Sequence, residues 1–161
     1  MKPRSRPATG FTFIELMLTL ALLAVMATIA MPMVQLVYQR RQEQVLAESL
    51  REIRQAIDAY RRAVEQGRVS VKAGESGFPP TLQVLVEGVV DERNPSRQRI
   101  YFLRRVPRDP MSADAEAPAE DTWGKRSYES PPDEPRAGKD VFDVHSRATG
   151  KGLNGIAYRQ W

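Results

Sequence analysis

Glu15 stands near the start of an apolar run that carries no other charge as far as Gln39. A carboxylate inside such a run costs on the order of 2.5–3.5 kcal/mol, even on a lenient membrane-insertion scale. An unpaired Glu15 is therefore a liability, and its position asks for a cationic partner. Directly before it come Gly10-Phe11-Thr12-Phe13-Ile14, and before those a short basic leader with Lys2, Arg4 and Arg6. The rest of the chain offers little reactive chemistry. His145 is the only histidine and there are no cysteines. A lone histidine is more often a surface or hydrogen-bonded residue than a ligand or base. Ser146 beside it forms no triad that the sequence supports. There is no phosphate loop, no metal-spaced cluster and no pair of catalytic carboxylates, so the chain is not expected to be an enzyme. Trp123 and Trp161 read as core or interface anchors rather than cofactor contacts.

The element that positions Glu15 is a helix. At ~1.5 Å per residue, roughly 20 residues cross the ~30 Å hydrocarbon core of a bilayer, and the run to about Val37 is long enough. Basic residues in front of it favour a cytoplasmic N-terminus, while Arg40 and Arg41 on the far side pull the other way. An ordinary secretory signal has the same basic and apolar regions, but this run exceeds the usual length and begins with a glutamate. Pro32 removes the hydrogen bond to the carbonyl of Thr28 and predicts a kink. A lone membrane anchor tolerates that; in a packed stem it marks where the helix bends or melts.

From Tyr38 to Gln66 the pattern stays helical but becomes one-sided. Leu46, Leu50, Ile53, Ile57, Tyr60 and Val64 step alternately by four and three, which draws one apolar stripe. The stripe could seed a coiled coil, though one face packed on the chain's own domain is favoured. Gly67 is a plausible stop. Phe11 to Gln66 would make one helix of roughly 84 Å. Beyond it, Phe78-Pro79-Pro80-Thr81 opens a short helix with Leu82, Leu85 and Val86 on one face and Gly88 at its end. Two prolines in Arg104–Pro110 exclude a central strand there. Residues 111–121 should be exposed and mobile. Trp123–Tyr128 reads as a strand with its turn, and Val141–Val144 as the clearest strand. Three antiparallel strands laid on Leu46–Val64 are expected.

Gly10-Phe11-Thr12-Phe13-Ile14-Glu15, with Pro32 further on, resembles the leader motif of type IV pilins and type II secretion pseudopilins. The resemblance implies that a prepilin peptidase cuts between Gly10 and Phe11 and methylates the new Phe11 amine. It implies that Glu15 answers the positive N-terminus of a neighbouring subunit, and that Pro32 is the family's helix-kinking proline. The head is similar to that of the major pseudopilin: Phe78-Pro79, Leu82–Val86, Leu103–Pro110, Trp123–Tyr128, Asp140–Val144 and Trp161 follow in its order. The fold implied is α+β, a pilin-like lollipop in which a long N-terminal helix carries a small antiparallel head. Residues 1–10 are the cleaved leader, 11–37 the transmembrane and filament-core helix, 38–66 its amphipathic continuation and 67–161 the periplasmic head.

The function implied is that of a structural subunit of the type II secretion pseudopilus. The subunit sits in the bacterial inner membrane, with its N-terminus cytoplasmic and its head periplasmic. Its implied partners are further copies of itself, the prepilin peptidase, the secretion platform and the minor pseudopilins. Calcium is the cofactor that the resemblance brings up, and Asp143 and Asn154 are the side-chain oxygens left for it. No Asp or Glu stands between Val144 and Trp161, so that ligand set is depleted. Other readings stay open: a type IV pilin for adhesion or motility, a DNA-uptake pilin, or a membrane-anchored periplasmic protein with no filament role. The absence of cysteine counts against the first, since many such pilins close a C-terminal loop with a disulfide. Charge counts against the second: without Lys2, Arg4 and Arg6, 21 basic residues face 20 acidic ones. Nucleic acid is therefore not an expected partner.

Overall fold

The computed structural model of the chain describes residues 10–161. The leader residues Lys2, Arg4 and Arg6 lie outside them. Contacts divide the chain into two units, Met1–Gln39 and Arg40–Trp161. Helix α1 (Phe13–Glu65) contributes residues to both.

In the first unit α1 starts immediately after Thr12. The Glu15 N–H donates to the Thr12 hydroxyl at 3.3 Å, and the Leu16 N–H donates to the Thr12 carbonyl at 3.1 Å. Thr12 is thus the N-cap, with glutamate three residues on, the spacing of a capping box. The described side chains from Phe11 to Val37 are all exposed. Pro32 lies inside α1 without ending it. Nearby, the Thr28 hydroxyl donates to the Val25 carbonyl at 2.7 Å. Among the described residues α1 is the one helix long and apolar enough to cross a membrane.

The second unit begins on the amphipathic part of α1. Leu46, Leu50, Ile53, Ile57 and Tyr60 are buried and Val64 half-buried, so the stripe is one face of the core. Gly67, at φ +67°, stops the helix. Its N–H donates to Val64 and that of Arg68 to Ala63, the paired bonds of a Schellman end. The chain then doubles back and buries Val69. Thr81 caps α2 (Leu82–Glu87) through its side chain, and Gly88 ends it. Leu82 and Leu85 are completely buried.

The expected three-stranded sheet is corrected to two separate antiparallel ladders. Strand β1 (Val89–Val90) pairs with β2 (Arg99–Ile100), and β3 (Trp123–Arg126) pairs with β4 (Asp143–Ser146). In the second ladder Trp123 faces Ser146 and Arg126 faces Asp143. The reason lies in where the backbone donors go. The N–H groups of Phe102 and Leu103 both turn to the Leu85 carbonyl at the end of α2, each at 3.0 Å, so β2 cannot extend. The N–H of Val141 donates to the Pro79 carbonyl at 2.8 Å, which delays β4 to Asp143. Residues 111–121 are also more engaged than their composition implies. Arg108 donates to the carbonyls of Asp114 and Ala117, and the Asp114 carboxylate accepts from the N–H groups of Glu116 and Ala117.

Gly88 has φ +73°, and a Cβ there would meet the Ile100 carbonyl oxygen at 2.8 Å and the Tyr101 ring. Backbone has no room to yield. Gly88→Ala is expected to destabilise the head by about 1–3 kcal/mol, seen as a lowered urea midpoint with an unchanged m-value.

Candidate functional site

The N-terminal site is an open one. Gly10 is exposed and a Cβ there would touch nothing within 4 Å. Phe11 is 82% exposed. The Gly10–Phe11 bond therefore lies in exposed chain just ahead of the N-cap. Glu15 sits in the first turn of α1, at the end where unpaired backbone N–H groups give the helix its partial positive charge. Its side chain is exposed, and it takes part in no ion pair among the described residues. Pro32 is on the same helix, about 26 Å along at 1.5 Å per residue.

At the other end of the chain Asp143 and Asn154 are already engaged. One Asp143 oxygen accepts from Arg54 Nε at 2.8 Å and the other from Arg126 Nη2 at 3.5 Å. The Asn154 side-chain oxygen accepts from the Ile156 N–H at 3.0 Å and closes a tight turn. Among the described residues no three His, Cys, Asp or Glu side chains are grouped so as to hold a metal ion. Two guanidinium groups on Asp143 and a turn-bound amide do not fit calcium, which wants six to eight oxygens with carboxylates among them.

His145 lies across the ladder from Gly124, where a Cβ would collide with its imidazole. Burial pushes its pKa below the ordinary value; Asp143 acts against this, and Arg54, Arg126 and Arg147 reinforce it. The ring packs over Gly124.

Thr12, Glu43 and Arg54 also take part, on weaker sequence signals. Thr12 and Glu15 form the pattern Thr-x-x-Glu ahead of an apolar run, which is itself a helix-start signal. Glu43 lies three residues before Leu46 and so on the stripe face; it is buried, and accepts from the Leu153 N–H at 2.9 Å and the Tyr158 hydroxyl at 3.0 Å. A charge on the core face was the available signal. Arg54 flanks the same stripe and donates to the carbonyl of Val144 and the main-chain oxygen of Trp161 at 3.0 and 2.7 Å.

Residues 5–31 match the family described as the prokaryotic N-terminal methylation motif. The match spans Gly10, Phe11 and Glu15 and ends one residue short of Pro32. It supports a pilin-like chain in the broad sense: a prepilin peptidase substrate of the type IV pilin and pseudopilin class. Proteins of this class assemble into filaments and are structural rather than catalytic. Motif and apolar helix together point to membrane anchoring. Neither the curated proteins nor the solved structures contain a match to this chain.

Because folding lowers the His145 pKa, the unfolded chain binds more protons once pH drops through the unfolded value of about 6.5. The stability linked to His145 is thus present above that pH and lost below it. An NMR titration should give a midpoint below about 6.5, and His145→Gln should flatten the fall in denaturation midpoint between about pH 7.5 and 5.5.

Proposed function

We propose that the chain is a structural pseudopilin subunit of a type II protein secretion system. The observation that carries this reading is the methylation motif placed on an open Gly10–Phe11 step, ahead of an apolar helix with no cover of its own. Cleavage frees the Phe11 amine, and methylation leaves its charge in place. Glu15 of an incoming subunit pairs with the amine of one already in place. The pair sets axial register and offsets the cost of burying both charges. The apolar helices bundle with Pro32 inside the stem, the heads remain in the periplasm, and a membrane platform pushes the growing filament to export folded proteins. The order of head motifs from Phe78-Pro79 to Trp161 favours secretion over adhesion, motility or DNA uptake.

Intact mass of the protein from membranes, with and without prepilin peptidase, tests the first step. The expected result is loss of residues 1–10 plus one methyl group, only when the peptidase is present. Full-length mass in both leaves a plain anchor. Glu15→Ala is expected to insert into membranes normally and to lower filament yield by about tenfold or more, as loss of a contact worth roughly 1.4 kcal/mol would; normal yield would refute the register role.

A further inference from the structure

A cation that orders a loop collects oxygens that the loop cannot satisfy by itself, and calcium needs six to eight of them. The C-terminal loop of this chain meets that requirement differently. The internal bonds of residues 150–161 are all local: Gly152 N–H to the Ile156 carbonyl at 2.8 Å, Tyr158 N–H to Gly150 at 3.1 Å, Gly155 N–H to Gly152 at 2.9 Å, Gln160 N–H to Ala157 at 2.9 Å, Trp161 N–H to Tyr158 at 3.2 Å, and the Asn154 turn. Other polar groups of the loop, and one of β4, bond to α1 instead. The donors at Leu153 and Tyr158 share one carboxylate oxygen of Glu43, a residue only 9% exposed. The acceptors, the main-chain oxygens of Val144 and Trp161, share Nη2 of Arg54. Arg54 also takes an oxygen of Asp143 through Nε. A guanidinium thus stands at the main-chain and carboxylate oxygens a cation would collect, and it has a directional donor for each.

We propose that Glu43 and Arg54 hold the C-terminal loop against α1 in place of a bound cation, so that the loop's order does not depend on calcium. Glu43 supplies the acceptor and Arg54 the positive charge. Both come from a helix already fixed by its buried stripe, so the latch is preorganised. Replacing a coordinated ion by side chains makes the loop part of the head's own folding, insensitive to the ionic content of the compartment outside the membrane.

Limited trypsin digestion of the full chain in detergent tests this. Lys151, exposed in the loop, reports loop opening, and Lys125, within β3, reports global unfolding. The wild-type rate of cleavage after Lys151 should be the same in millimolar calcium and in chelator. Glu43→Ala should raise that rate by about tenfold or more in both conditions, with Lys125 unchanged, as expected for losing hydrogen bonds to a charged acceptor. Glu43→Gln keeps an oxygen that accepts both bonds and should stay within about threefold of wild type. Should Glu43→Ala loosen Lys125 as well, Tyr158→Phe decides: it removes one donor, keeps the ring, and should speed cleavage at Lys151 alone. Faster wild-type cleavage on chelation, saturable protection by calcium, or no effect of the deciding variant would each overturn the proposal.

Discussion

Leu46, Leu50, Ile53 and Ile57 are each no more than 2% exposed, and covering that stripe is the condition that the second unit is built to meet. Each such side chain contributes about 1.5–3 kcal/mol when buried, and a sheet would be the usual cover. Here the cover is α2, two short ladders and long connections: Leu82, Leu85, Leu103, Trp123, Val141, Val144 and Tyr158 close over the stripe from separate segments. Gly67 is what makes this possible, because it turns the chain back just where the stripe ends.

Loops that cover a core leave backbone polar groups unpaired unless something else reaches them. Side chains do so in this protein. Arg68 fixes the turn after β1 through Asp91, Arg108 gathers the carbonyls of the acidic loop, and Arg54 gathers those near the C-terminus. Asp140 ties three segments by accepting from Ser76, Ser127 and the Tyr128 N–H. Burial alone would raise its pKa, yet those hydrogen bonds outweigh it and hold the carboxyl below the ordinary value. The Trp123 indole N–H donates to the Pro107 carbonyl at 2.8 Å. Many of these partners are arginines, whose fork of donors can serve two acceptors at once.

What sequence patterning reveals here is what depends on periodicity and local punctuation. The stripe, the stop at Gly67 and the Thr81–Gly88 helix follow from residues a few positions apart. The capping role of Thr12 is equally local, set by its spacing to Glu15. The strand count needed more than local pattern. Ile100-Tyr101-Phe102-Leu103 looks like a strand that continues, and only the Leu85 carbonyl explains why it does not. Asp143 looked like an available ligand because the arginine that occupies it lies 89 residues away. For Glu43 the pattern shows a charge on the core face but not its loop partners, which are 110 and 115 residues distant.

The brevity of the ladders has a consequence for crowding. The first has two residues in each strand and the second four. An exposed strand edge is a template on which a neighbouring chain can add its own strand. Apolar helices gathered in a membrane or a bundle hold their heads at very high local concentration, the condition under which such edges fuse. Ladders of two and four residues leave little edge for such pairing.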